Sequence, residues 1–353
     1  MTAEISSTVE DAATAWLSSF TPHRLLRNGH LQTLAGNFLH RKLLLPQPEP
    51  LLVEVEGPVG GYGPSHVLCH CHWQPEEVRR QRLTVVIVHG LEGSSRSHYV
   101  LANTARALAA GFNVVRMNMR SCGETDELSP TIYHSGRSED VAALVRALVQ
   151  TRELESIALL GYSMGGNLVL KYSGEVATTL PSQLKAVVGI SPLMDLAVSS
   201  SALHEVQNRL YERHFLRSML ARVRRKAALF PGIYSTDGLS RIRSMRLFDE
   251  HIVARYGGFA GADDYYLTVA SSRYANRFRV PTLIVHSLDD PFIRMLPDTR
   301  DALIANLKVT YIETKHGGHC AFLAAQANGD RRWAELTLFK FLLEETNGSR
   351  LVR

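Results

Sequence analysis

Ile157-Ala158-Leu159-Leu160-Gly161-Tyr162-Ser163-Met164-Gly165-Gly166-Asn167-Leu168-Val169-Leu170-Lys171-Tyr172 is the stretch on which the reading of this chain turns. The apolar run 157–160 reads as a buried strand, and the segment from Gly166 onward reads as a helix. A strand that turns at once into a helix leaves Ser163 on a strained bend. Its side chain then projects into a cleft, beside the free N–H groups of the helix N-terminus. Glycine is expected at 161 and 165 because a Cβ there would collide with the neighbouring strand and helix. The pattern Gly-x-Ser-x-Gly in this setting is a nucleophile elbow, with Ser163 as the candidate nucleophile.

An isolated serine hydroxyl is too weak to attack a carbonyl. It needs a base to take its proton and an acid to orient that base, and with this elbow both are expected later in the chain, acid first. The predicted strand Thr282-Leu283-Ile284-Val285-His286 ends in Ser287-Leu288-Asp289-Asp290-Pro291, and the predicted strand Val309 to Thr314 ends in Lys315-His316-Gly317-Gly318-His319. Both loops fall at carboxyl ends of parallel strands, on the edge that carries the elbow. Asp290 is preferred to Asp289 because three residues separate it from the strand end and Pro291 fixes the turn after it. His319 is preferred to His316 because Gly317-Gly318 gives a flexible approach and Ala321-Phe322-Leu323 can hold the imidazole. The oxyanion donors are expected to be the N–H of Met164, directly after the nucleophile, and that of Leu91 in His89-Gly90-Leu91-Glu92-Gly93. His89 reads as a structural bond-maker in that loop.

Around this centre strands and helices alternate, which predicts a mainly parallel sheet covered on both faces. Eight strands are expected. Leu51–Val55 and His66–His72 form an opening hairpin, followed by Thr84–Val88, Phe112–Met117, the elbow strand, Lys185–Ile190, Thr282–His286 and Val309–Thr314. Helices are expected over 97–110, over 138–149 with Ser138 as a possible N-cap, near 296–306 and over 331–343. The alternation breaks between 195 and 278, a stretch with helical spacing and no convincing strand, which reads as an inserted cap. The layout is an N-terminal segment 1–50 packing on the core, a core of 51–194 with 279–345, the cap 195–278, and a loose tail 346–353.

The 353 residues suffice for one large α/β domain, and the net charge of +5 is slight and scattered, so nothing compels a nucleic-acid partner. Met1–Ser19 lacks the basic start and apolar core of a secretory signal, and no apolar run is long enough to span a bilayer. Cys69, Cys71, Cys122 and Cys320 show no framework spacing, which suggests a reducing compartment, the cytoplasm by default. His66, Cys69, His70, Cys71 and His72 are dense, but in a strand Cys69 and Cys71 point away from His70 and His72, so a sheet strand is read there and not a metal site. The run Arg222-Val223-Arg224-Arg225-Lys226 reads as a solvated helix face, with contact to anionic head groups as the alternative. Phe215, Leu216, Met219, Leu220, Leu229 and Phe230 suit either an acyl pocket or packing of the cap. Asp140, Asp249 and Asp264 read as structural, and Cys320 as a small packing residue.

Taken together, these residues resemble the YheT-like family of α/β-hydrolase-fold proteins, which includes bacterial esterases and membrane-anchored animal relatives. The resemblance runs through Asn28-Gly29-His30-Leu31-Gln32-Thr33, His89 to Ser95 with Ser97 and Tyr99, Asn118-Met119-Arg120-Ser121-Cys122-Gly123, Tyr133-His134-Ser135-Gly136 with Glu139-Asp140, Gly161 to Asn167, Phe248-Asp249, Asp264-Tyr265-Tyr266, Asp289 to Phe292 and Gly317-Gly318-His319. Ser121 stands where the family often has glycine, and Arg27-Asn28-Gly29-His30 replaces a more usual lead-in. The resemblance implies a Ser163, Asp290, His319 relay and hydrolysis of carboxylic esters. No metal or organic cofactor is needed. The family's range of medium-chain esterases, alcohol acyltransferases and phospholipases leaves acyl length and head group open, and leaves capture of the acyl group by an alcohol as an alternative to hydrolysis.

Overall fold

The computed structural model describes residues 20–39, 41, 43–325 and 331–346. The signal-peptide reading of Met1–Ser19 and the tail beyond residue 346 lie outside them. The sheet has the eight expected strands: β1 (Glu49–Glu56), β2 (Ser65–His72), β3 (Thr84–Val88), β4 (Asn113–Met117), β5 (Ile157–Tyr162), β6 (Leu184–Ile190), β7 (Thr282–Ser287) and β8 (Val309–Thr314). Their order is β1-β2-β4-β3-β5-β6-β7-β8. β1 and β2 pair as an antiparallel hairpin, β2 runs antiparallel to β4, and all later neighbours are parallel.

The central strands β3 and β5 are largely apolar and fully buried, β3 being β-branched throughout, as a sheet covered on both faces requires. Alternate residues of β3 feed different cores. Val85 and Ile87 pack beneath α2 (His98–Ala109) and α9 (Trp333–Thr346), while Val86 and Val88 pack beneath α3 (Ser138–Gln150) and α4 (Met164–Glu175). β2 obeys the same alternation. Cys69 and Cys71 enter the core, while His70 bonds the Ser95 hydroxyl at 2.9 Å and His72 faces Arg116 at 3.0 Å. β4 is added on one side of β3 and β5 on the other, so the order of winding reverses there and the loops after β3 and β5 adjoin at a topological switch point.

Between β6 and β7 the described chain is helical. The elements are α5 (Leu196–Leu203), α6 (Arg209–Leu229), a turn of helix continuing into a π-helix over Asp249–Ala254, and α7 (Ala262–Val269). A separate core forms there, with Leu196, Met219, Val223, Phe248, Tyr265 and Tyr266 packed against Phe292 and Ile293 of the loop after β7. α8 (Pro297–Ala305) completes the set.

α1 (Gly29–Phe38) is started by Asn28, whose side chain accepts the N–H groups of His30 and Leu31. It lies against the segment that follows β8. Pro22 bridges Ala324, the Phe20 ring contacts Phe322 and Trp333, and Gln32 exchanges two hydrogen bonds with the Leu323 backbone at 3.1 and 2.9 Å.

One expected cap and one helix start differ. α3 begins at Ser138 as expected, but the Ser138 hydroxyl does not cap it: it is committed to Glu175 at 2.6 Å and to the Lys171 ammonium at 2.9 Å. α9 begins at Trp333. Arg332 stays outside it, donating to the carbonyls of Gly36 and Leu39 at 3.0 and 2.6 Å. The 222–226 run is not a uniformly solvated face either. Arg222 and Lys226 are buried, and Lys226 donates to the carbonyls of Asp126 and Ser129.

Candidate active site

Ser163 sits between β5 and α4 with φ +53°, a left-handed conformation that a non-glycine residue adopts only under constraint. The constraint is packing. A Cβ on Gly161 would lie 2.2 Å from the Gly165 carbonyl oxygen, one on Gly165 would lie 2.4 Å from those of Val88 and His89, and one on Gly166 would meet Pro192 at 2.8 Å. The elbow is therefore pressed against the end of β3 and the residues after β6. α4's first backbone hydrogen bond runs from Asn167 N–H to the Ser163 carbonyl, which leaves the Met164 N–H at the open helix end. Asn167 also fastens the elbow to the C-terminal end of α7. Its side chain donates to the Ser135 and Val269 carbonyls and accepts the Ser271 N–H.

The loop after β3 approaches the serine closely, since a Cβ on Gly90 would lie 3.2 Å from that of Ser163. The Gly90 N–H is taken by the Tyr99 hydroxyl at 2.8 Å, whereas the Leu91 N–H has no partner among the described residues. His89 holds the loop from beneath. Its Nδ1 faces the Gly90 carbonyl at 2.8 Å and its Nε2 accepts the Met119 N–H at 3.1 Å, so Nδ1 carries the proton. Burial pushes the His89 pKa down to about 4, which keeps the ring neutral and this tautomer fixed.

Asp290 and His319 meet, Oδ2 to Nδ1, at 2.8 Å. Asp290 is buried, and its other oxygen accepts the N–H groups of Phe292 and Ile293 at 3.1 and 2.9 Å. Burial alone would raise this carboxyl's pKa, but His319 and the backbone donors hold it below the usual aspartate value. Burial alone would likewise lower the imidazole's, and the adjoining Asp290 carboxylate outweighs it, holding His319 well above the usual histidine value. The ring packs on Phe292, with centroids 4.5 Å apart, and its Nε2 lies 3.6 Å from Cys320 Sγ. The imidazole thus rests on Phe292, while Phe322 turns away to Phe20 and Trp333. Asp289 and His316 form a second, outer pair at 3.3 Å, and Asp289 also accepts the Gly318 N–H at 2.9 Å. It shapes the loop that carries His319.

Gly317-Gly318 serves close approach as well as backbone freedom. Gly318 has φ +57°, and a Cβ there would lie 2.5 Å from the Gly29 carbonyl oxygen and 2.8 Å from Thr33 Oγ1. Thr33 then accepts the His319 N–H at 2.8 Å. Ser121, where the family often has glycine, holds φ +62°.

Ser163, Met164, Leu91, His319 and Cys320 line one cavity of about 410 Å³, within the range of small-molecule sites. Its walls are mostly apolar, from Leu34 of α1 through Phe215 and Met219 of α6 to Phe292 and Ile293. Of the six apolar residues noted between 215 and 230, Phe215 and Met219 reach the cavity, Leu216 and Leu220 pack in or against the separate helical core, Phe230 is buried with its ring against Tyr62, and Leu229 is exposed. Glu92, next to Leu91, is tied to α6. Arg222 Nη2 lies 3.0 Å from its carboxylate, Ser218 donates to it, and Tyr133 donates at 2.7 Å.

Sheet order, elbow and cavity define the class: this is an α/β hydrolase, and the alpha/beta hydrolase fold family model matches residues 84–325. The chain is 31% identical to YheT of Escherichia coli (strain K12), over 90% of this chain and 91% of that one, and it belongs to the YheT-like family. It is 27% identical to the bovine phospholipase ABHD3 over 69% of this chain, and it spans 59% of that longer protein. An esterase of Pyrococcus furiosus shares the fold, with a TM-score of 0.53 at 14% identity over 93% of this chain and 98% of that one. Among the described residues no helix is long and apolar enough to cross a membrane.

Sequence reasoning assigned no part to Thr33, Tyr99, Asn167, Glu92 or Arg222. Thr33, Tyr99, Glu92 and Asn167 fall inside segments that resemble the family, which was the available signal. Their partners lie too far along the chain for any local spacing to reveal.

Proposed function

We propose that this chain is a serine hydrolase that cleaves carboxylic esters of acyl chains through an acyl-enzyme on Ser163. The observation that carries the reading is the 2.8 Å pair of buried Asp290 and His319, opening on the same apolar cavity as a serine held at positive φ. In this reading His319 Nε2 takes the Ser163 proton as Oγ attacks the carbonyl carbon. Asp290 holds the imidazole by Nδ1–H and stabilises its charged form. The Leu91 and Met164 N–H groups receive the oxyanion, His319 returns the proton to the leaving alcohol, and water then enters by the same route in reverse. Residues 195–278 act as the cap that shapes the acyl pocket, and the described part of segment 1–50, from Phe20 onward, acts as a brace for the core. Four free cysteines, three of them buried, fit a cytoplasmic location.

The reading is tested by hydrolysis of p-nitrophenyl esters from acetate to palmitate by the wild type and Ser163→Ala. Turnover confined to the wild type, with a chain-length optimum, is the expected result. A folded wild type that neither hydrolyses any of them nor reacts with a fluorophosphonate overturns it. Partition of the acyl group between water and added ethanol decides between hydrolase and acyltransferase.

A further inference from the structure

The cavity is apolar over most of its wall but not at its cap end. There Ser200 of α5, Tyr266 of α7 and Asp249, the first residue of the π-helix, meet as a polar chain lining the same space as Ser163. The Tyr266 hydroxyl donates to Asp249 Oδ2 at 2.7 Å and lies 2.9 Å from the Ser200 hydroxyl. Asp249 lines the cavity, and its Oδ1 takes no hydrogen bond from the described residues. Arg246, whose guanidinium lies 5.9 Å from the Tyr266 ring centroid, is exposed and paired with Asp263 at 2.8 Å. Burial accordingly pushes the Asp249 pKa up to about 7, against the Tyr266 hydrogen bond and the pull of Arg246.

A carboxyl oxygen kept in an apolar chamber without a donor is costly to folding. A purely structural aspartate would have both oxygens satisfied, as Asp195 does. The π-helix adds a second sign, since such insertions in helices are frequent at functional sites. Building on the ester-hydrolase reading, we infer that Asp249, with Tyr266 and Ser200, is a receptor for a hydroxyl group on the substrate. The preferred ester then carries a free hydroxyl remote from the scissile carbonyl. That hydroxyl donates to Asp249 Oδ1, and the apolar walls between hold the intervening chain.

The test pairs p-nitrophenyl alkanoates with their ω-hydroxyalkanoates from butanoate to decanoate, and butyl butyrate with its ω-hydroxybutyl counterpart. kcat/KM is measured on the wild type and on Asp249→Leu. The expected result is a preference of about tenfold or more for the hydroxyl-bearing ester at one length, lost in Asp249→Leu. Equal turnover of every pair by the wild type overturns the assignment, whether or not the variant folds, and so does an undiminished preference in folded Asp249→Leu. Affinity of the same intact esters for Ser163→Ala, read by calorimetry, decides the matter apart from turnover. If the wild type hydrolyses nothing, the esterase reading falls, while a calorimetric preference for the hydroxyl-bearing ester still supports the Asp249 site and its absence removes it.

Discussion

The backbone N–H of His319 donates to the side-chain oxygen of Thr33 at 2.8 Å, across 286 residues of sequence. Thr33 Oγ1 in turn donates to the Gly29 carbonyl at 2.7 Å, so the hydroxyl is oriented with its free lone pairs toward the histidine. Thr33 therefore positions the proposed base without touching the reacting atoms.

Replacing Thr33 by valine keeps the shape and removes the acceptor. One backbone hydrogen bond is worth about 1 kcal/mol, so kcat is expected to fall about fivefold to tenfold, with KM changed less. Thr33→Ser restores it. Equal kcat in Thr33→Val and wild type, measured with one chromogenic ester, removes this role.

The pH profile follows from the sign of the His319 shift. His319 must be neutral to accept the Ser163 proton, and Asp290 holds its pKa well above the usual histidine value. The ascending limb of kcat/KM against pH is thus expected above that value, with activity lost as pH falls through it. In Asp290→Asn burial acts without the carboxylate. The limb moves to lower pH while kcat falls by about 10⁴. A limb that stays in place would show that Asp290 does not control the imidazole.

Asp249 makes the opposite kind of prediction, in stability. A carboxyl whose folded pKa is raised to about 7 costs the fold nothing at low pH and progressively more as pH rises from the ordinary aspartate value toward 7. Asp249→Asn, which imitates the neutral acid, is expected to raise Tm at pH 8 and to leave it nearly unchanged at pH 4. A Tm difference independent of pH contradicts this.

Arg222 is expected to matter for stability despite its place in a basic run. Its guanidinium meets buried Glu92 and lies over the Tyr133 ring at 5.5 Å. Arg222→Met leaves a buried carboxylate without its cation, a loss of about 3–5 kcal/mol by urea unfolding, and adding Glu92→Gln recovers part of it. Arg225→Met, at an exposed pair, changes stability by about 0.5 kcal/mol or less.

Gly165→Ala requires a methyl group 2.4 Å from two carbonyl oxygens at the end of β3. Expression of soluble protein should fail, or stability should fall by about 1–3 kcal/mol, as for overpacked cores. Gly63→Ala, with open space around it, serves as the neutral control.

The eight strands and the elbow could be read from the sequence because their signals are local, in runs such as Thr84–Val88 and in glycines where no side chain fits. Asp290 and His319 were legible for the same reason, each standing just beyond a strand. What was hidden depends on contacts between distant segments. Arg222 reads as one of four cations on a helix until Glu92 is brought beneath it. Asp249 reads as a helix-start residue until the cavity opens beside it. Phe292, three residues past Asp289, carries no sign that it will support the His319 ring.

The contacts of 20–38 with 316–325 and 332–333 also have a bearing on biosynthesis. The Gln32–Leu323 bonds and the Pro22–Ala324 bridge cannot form until the later segment has left the ribosome. The elbow, at residue 163, is made more than a hundred residues before His319. A nascent chain therefore carries the elbow without its proposed base and without the Thr33 contact, and appearance of the proposed activity would mark the moment at which residues 316–325 are made and seated.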